Sequence, residues 1–411
     1  MKILVYEHAC GGGFAEGAVS SGILAEGFGM LCSCVAGLKE AGHNVIVVLD
    51  EGLSRFNPPV MADLVIPIFS FREAQQAILK SCADVDAAYV IAPETSGTLY
   101  ALVELIEQNG VPLLNSCSKA IKAVSNKVNL YKTLKDNKIK TPKTLQINAT
   151  QDVKGLIIDT FDFPVIFKPV DGVGCSGLSI VEETSQIEGA IKRIDTEFAS
   201  DTFMVQEYLK GETVSVSLLC TDTKSLPVSL NRQNINLSAP NEFSCYMGGA
   251  VPFDHEMKQE AFKTAEAAVN CFSGLKGYVG VDMILTDVGP VVVDVNPRLT
   301  TSFIGLSRVA DFNFTDAIAN AVLKNILPQK MVFLGCACFS KIETPKVDID
   351  FLDILYGIPE VVSPPFPVQD SKNGCFLISV KGDSLQEAHL LLEETKKHLL
   401  NIISDGAYSF G

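Results

Sequence analysis

Two stretches concentrate side chains that could do chemistry. Gly277-Tyr-Val-Gly-Val-Asp282-Met-Ile-Leu sets a carboxylate inside an apolar run. Val291-Val-Val-Asp294-Val-Asn296-Pro-Arg298 ends the next run with an acid, an amide and a guanidinium. An isolated buried carboxylate costs several kcal/mol or takes up a proton, so these oxygens are expected to face a cation. Alternation in a strand puts Val292, Asp294 and Asn296 on one side and Val291, Val293 and Val295 on the other. Hard oxygen donors at this density suit Mg²⁺, which completes its shell with substrate phosphates and water.

A second motif is Phe163-Pro-Val-Ile-Phe-Lys168-Pro-Val-Asp-Gly172-Val-Gly174-Cys-Ser176-Gly177. A lysine ending an apolar strand and followed by a glycine loop can pin phosphate oxygens while backbone N–H groups close over them. No G-x-x-x-x-G-K-[ST] is present, so this is not a P-loop. A third motif, Gln206-Glu207-Tyr-Leu209-Lys-Gly211-Glu212, would offer backbone groups to a flat base and a carboxylate to ribose hydroxyls; alone it is a weak signal and reads more readily as a polar hinge. Arg298 can present its planar fork to a carboxylate or phosphoryl group. Lys127, opening a helix, and Arg232, in Leu230-Asn-Arg-Gln-Asn, could complete an electropositive side or could simply be solvated.

These side chains need a scaffold, and the spacing predicts one. Strand Lys2 to Tyr6, glycine loop Gly11 to Gly13, helix Ile23 to Ala41 and strand Asn44 to Leu49 form a β-loop-α-β unit. Strands at Ala62 to Ile68, Ala87 to Ile91 and Pro112 to Leu114 alternate with helices Phe71 to Lys80 and Leu99 to Asn109. That alternation predicts an α/β domain with a parallel sheet over residues 1–117. Residues 118–330 read as α+β: a basic helical stretch Ser118 to Leu134, then short strands around helices near Ser185 to Ile194 and Met257 to Phe272. Residues 331–411, with strand Cys375 to Val380 and helix Ser384 to Ile402, are expected to form a small α+β carboxy-terminal domain.

Composition sets the outer limits. The 411 residues carry a net charge of −15, which argues against a phosphodiester partner. No apolar run approaches the roughly 20 residues that span a bilayer, and the start is a strand rather than a leader, so a cytoplasmic protein without membrane partners is expected. The 12 cysteines include no C-x-x-C and predict buried reduced thiols.

Taken in order, the lysine, glycine loop, hinge glutamate, strand aspartate and acid-x-Asn-Pro-Arg resemble the ATP-grasp superfamily over roughly residues 118–328. That resemblance implies an ATP clamp built from two α+β subdomains. It implies Lys127 and Lys168 as phosphate ligands, Gly172, Gly174, Ser176 and Gly177 as the loop over the phosphates, Gln206, Glu207 and Leu209 as the adenine hinge and Glu212 as the ribose ligand. Asp282, Asp294 and Asn296 would hold Mg²⁺, with Mn²⁺ able to substitute, while Arg298, Arg232 and Lys168 would steady the transferred phosphoryl group. One departure stands out: the middle metal ligand is usually glutamate and is here Asp294. The implied reaction joins a small-molecule carboxylate to an amine through an acyl-phosphate, giving ADP and phosphate, in a protein that could be a homo-oligomer.

Glu7-His8-Ala-Cys10-Gly-Gly12-Gly13 and Ile91-Ala-Pro-Glu94 fall at strand ends, where open α/β sheets bind ligands. With the amino-terminal strand they resemble the tyramine–glutamate ligases of methanofuran biosynthesis. On that reading Glu94 or Glu7, with Gly12, serves the amine and Arg298 the glutamate. Alternatives are a ligase for another acid–amine pair, a non-catalytic nucleotide sensor, and a nicotinamide dehydrogenase suggested by Gly11, Gly13, Gly17 and Asp50, whose spacing is one residue too long.

Overall fold

The computed structural model describes residues 1–13, 20–57, 60–170, 172, 174–198, 200–347, 349–367 and 373–408. The first sheet is parallel, in the order β3-β2-β1-β4, with β1 Lys2–Glu7, β2 Asn44–Asp50, β3 Leu64–Ile68 and β4 Ala87–Ile91. Its central strands read as unbroken apolar runs because both faces are covered. Ile3 and Val5 pack with Phe28 and Leu31 of the helix Ser21–Glu40, and Leu4 and Tyr6 pack on the other side with Ile78, Leu99 and Val103. β2 and β4 lie on opposite sides of β1, so the chain changes direction there. The crevice beyond the carboxyl ends of β1 and β4 is the binding position of open α/β sheets. The expected strand at Pro112 to Leu114 is reduced to one parallel bridge, Ala88 to Leu113.

By length and composition the helix Ser21–Glu40 could cross a bilayer, contrary to the reading that no apolar stretch approaches that length. Here it is a core helix, with Phe28, Leu31, Cys34, Val35 and Leu38 buried between the parallel sheet and the large sheet.

Two further sheets follow. The smaller runs β5-β8-β6-β7, with β5 Thr144–Asn148, β6 Val165–Pro169, β7 Ser179–Val181 and β8 Thr202–Glu207. It packs on helices Val153–Thr160 and Ile187–Phe198 through Phe167, Phe203, Ile157 and Ile194. The larger has eight strands: β9 Glu212–Cys220, β10 Ser225–Asn236, β11 Cys245–Val251, β12 Gly277–Thr286, β13 Gly289–Asn296, β14 Cys336–Pro345, β15 Val361–Ser363 and β16 Asn373–Gly382, ordered β13-β12-β9-β10-β11-β14-β16-β15. The carboxy-terminal segment is α+β as expected. Its strands, however, continue the large sheet through β11 and β14, which pair from Gly248–Ser340 to Val251–Ala337. The boundary at 330/331 is therefore one of chain order and not a break in the core, since Ala337, Phe339 and Leu377 share a cluster with Phe28 and Phe303.

Candidate active site

A cavity of about 310 Å³ opens between the two antiparallel sheets. Lys168 comes to it on β6, paired with Met204, and is only 6% exposed. Lys127 is the first residue of the helix Lys127–Asp136, whose start is fixed by the Asn126 side chain accepting from Asn129 N at 3.0 Å. Gly172, Gly174, Cys175 and Ser176 cover another side. That loop turns through left-handed residues at Gly174 (φ 60°), Cys175 (φ 69°) and Gly177 (φ 68°). Glu197 ties it down by accepting from Gly177 N at 2.7 Å.

The hinge residues Gln206, Glu207, Tyr208, Leu209 and Gly211 line the same cavity. Glu207 accepts from Lys143 N at 2.7 Å, and Gln206 donates to Thr144 Oγ1 at 2.7 Å, so the start of β5 and the residue before it hold the two side chains. Gly211 is required by close approach: a Cβ there would stand 2.2 Å from Leu285 O.

The acids face the cavity together, but the alternation expected along β13 is broken by a register shift beside Asp282: Val292 packs in the core with Val295, and Val293 lines the cavity with Asp294 and Asn296. Asp282 and Asp294 are direct cross-strand partners, so both carboxylates share one face. Gln233 and Asn296 each donate to Asp282 at 2.9 Å, one to each oxygen, and Lys127 pairs with Asp294. Burial, followed by the neighbouring Asp294 charge, pushes the Asp282 carboxyl up to about 6. Burial and then the Lys127 charge pull Lys168 down to about 7. Such a pair of opposed fields would be completed by a divalent cation on one side and phosphates on the other. The donors fit Mg²⁺: two carboxylates and the Asn296 carbonyl, all oxygen, with room for phosphate. Among the described residues no cluster of three or more His, Cys, Asp or Glu side chains forms a closed metal cage. All 12 cysteines are free.

Arg298 lines the cavity and is anchored from the parallel-sheet domain, Nε donating to Glu94 Oε2 at 3.0 Å. The other oxygen, Glu94 Oε1, is buried with no hydrogen-bond partner among the described residues.

Six expected residues do not line the cavity: Gly177 and Glu94 stand beside lining residues, and four sit elsewhere. Arg232 and Glu212 pair with each other at 3.0 Å, beside His255, and neither lines the cavity. Parity explains it: Arg232 is the cross-strand partner of Val214, which faces the helix Lys258–Asn270, whereas Asp282 is the partner of Ser215 on the opposite face. Glu7 points inward, accepting from Cys10 N at 2.7 Å, and Gly27 leaves room for its carboxyl. Gly12 packs over Ile68, where a Cβ would be 2.3 Å from Cδ1. Among the described residues of this loop Gly13 packs against the His8 ring, where a Cβ would stand 2.2 Å from it. Gly17 lies outside the described residues.

Sequence reasoning missed Gln233, which orients Asp282, and Glu26, Tyr246 and Thr301, which also line the cavity. Gln233 was findable, being two residues beyond the buried Asn231 on one strand face. Glu26 carries no local signal.

Two lysines, a glycine loop, a backbone hinge and an acid pair around one cleft between two α+β sheets define a nucleotide-clamping enzyme that activates a phosphoryl group. Residues 124–302 match the ATP-grasp domain family, and residues 43–121 match the pre-ATP-grasp 3 domain. The chain is 32% identical to the tyramine–L-glutamate ligase of Methanocaldococcus jannaschii over 67% of this chain and 71% of that protein. It is 30% identical to the Methanocaldococcus fervens enzyme of the same name over 80% and 96%. The fold matches N5-carboxyaminoimidazole synthetase from Staphylococcus aureus complexed with ADP, with a TM-score of 0.69, 15% identity and 96% of each chain covered. The chain belongs to the ATP-grasp superfamily, as an ATP-dependent, ADP-forming carboxylate–amine ligase.

Proposed function

We propose that this ligase joins the side-chain carboxylate of glutamate to the amine of tyramine, with Mg²⁺ as its metal, in the cytoplasm and as a step of methanofuran assembly. Similarity to the two tyramine–L-glutamate ligases supports the substrate pair. The observation that carries the reading is the Arg298–Glu94 junction, where the parallel-sheet domain meets the phosphate-binding cavity. Arg298 offers donors to the glutamate carboxylate, and the unpartnered Glu94 Oε1 suits an ammonium. Free cysteines throughout accord with a reducing compartment.

Each side chain then has a defined task. Lys127 and Lys168 hold the phosphates, and Arg298 brings the carboxylate in line with the γ-phosphoryl group. Asp282, Asp294 and Asn296 would hold Mg²⁺, which when bound would supply positive charge to the phosphate oxygens. The loop carrying Gly172 to Gly177 excludes water, which would hydrolyse an acyl-phosphate before the amine attacks. A coupled phosphate-release assay across a panel of amino acids and amines tests this. Release with ATP and Mg²⁺ is expected only when glutamate and tyramine are both present; turnover confined to another pair would keep the ligase and reject these substrates.

A further inference from the structure

Glu26 and Thr301 of the cavity wall belong to a charged cluster from three distant stretches of chain, whose lysine, Lys341, stands behind the lining residues. Glu26, on the helix Ser21–Glu40, lines the cavity beside Tyr246, Thr301 and Ser302. Lys341 of β14 reaches Glu26 Oε1 at 2.6 Å, and Thr301 donates to Glu26 Oε2 at 2.5 Å. The ammonium also lies 5.9 Å from the Tyr246 ring centroid. Both charged side chains are mostly withdrawn from water, Lys341 at 15% and Glu26 at 20% exposure.

An ion pair this far from water contributes little net stability, because desolvation offsets the attraction. Nor do the elements need it to stay together, since Phe28, Leu31, Phe303, Phe339 and Leu377 already join them in one apolar core. The pair does have the charge pattern of an amino-acid head group in reverse: a carboxylate for the α-ammonium and an ammonium for the α-carboxylate.

We propose that Glu26 and Lys341 form the receptor for the α-ammonium and α-carboxylate of the amino-acid substrate, which leaves its side-chain carboxylate as the group delivered to Arg298. This rests on the amino acid being the carboxylate donor, as in the function proposed above. The free pair keeps both charges satisfied until the substrate exchanges one ion pair for two. The linkage is then made at the side chain because the α-carboxylate is held by Lys341. The carboxy-terminal strands thereby supply a substrate-binding residue.

The test compares glutamate, glutarate (no α-ammonium) and 4-aminobutyrate (no α-carboxylate) in phosphate release with tyramine. Wild type is expected to favour glutamate over either by at least about 100-fold in kcat/KM, as a site built for polar groups should. Glu26→Gln should raise KM for glutamate at least about 10-fold, leave KM for ATP unchanged and abolish the preference over glutarate. Lys341→Met should abolish the preference over 4-aminobutyrate. The double variant strands no lone charge, so it guards against misfolding, and it should treat all three acids alike. Folded variants that retain both preferences would overturn the proposal, as would equal losses on all three acids. If wild type ignores glutamate, the substrate assignment fails separately. The same deaminated and decarboxylated series on the amino acid actually used must then show the same collapse, and preference for an acid with no amino-acid head rejects the receptor.

Discussion

Two arginine–glutamate pairs in this molecule have the same 3.0 Å contact and very different surroundings. Arg298 and Glu94 are 16% and 6% exposed and join the cavity to the parallel-sheet domain. Arg232 and Glu212 are 53% and 30% exposed and face away from it. Arg232 lies within β10 and Arg298 just past the end of β13, both near polar partners, so motif order alone does not separate them. What separates them is strand parity: Arg232 shares a face with Val214 and the core helix, while Arg298 follows Asn296 out of the strand that carries the acids. Chemistry comes from the face, and the pair on the other face is a surface contact.

That contrast can be broken by mutation. Arg298→Ala should lower kcat/KM at least about 100-fold and, by stranding a buried Glu94 charge, cost about 3 kcal/mol of stability in thermal or denaturant unfolding. Lys168→Ala and Asp294→Ala should each reduce turnover about 100-fold, since each removes a charge that the transferring phosphoryl group needs; near-normal rates would take them out of the site.

A subtler effect concerns protons. Lys168, held down to about 7 by burial and by Lys127, is largely neutral above that pH, and phosphates favour its charged form. Nucleotide binding should therefore take up a proton above pH 7 but not well below it, and ATP affinity should fall as pH rises through 7. Calorimetry in buffers of different ionisation enthalpy measures the uptake, which Lys168→Met should remove. Arg232→Ala should produce the smallest change, within about 3-fold in kcat/KM and below about 1 kcal/mol in stability. A loss matching that of Arg298→Ala would erase the distinction between the two pairs.

Much of the site was legible because its residues are local in sequence. Lys168 and its loop occupy one hairpin, and Asp282, Asp294 and Asn296 occupy another, where two-residue alternation gives the shared face of Asp294 and Asn296 but not the register shift that turns Val292 into the core. The continuation of β10 past Arg232, and β11, were not legible. Gln233-Asn-Ile-Asn is polar enough to read as a loop, and Gly248-Gly249 reads as a break. In the structure those glycines are what let the strand pass, since a Cβ on Gly249 would lie 2.2 Å from Arg232 O. The placement of Arg232 was available from Leu230, two residues earlier and buried on the same face. Glu26 and Lys341 were out of reach, because their contact joins residues 315 positions apart and depends on the carboxy-terminal strands entering the large sheet.

The central claim is that a substrate carboxylate attacks the γ-phosphate of ATP in this cavity. Glutamate labelled with ¹⁸O in its side-chain carboxylate tests it most directly. The account predicts that the inorganic phosphate released carries one labelled oxygen for each amide formed. Label appearing in AMP, or unlabelled phosphate alongside amide product, would contradict it.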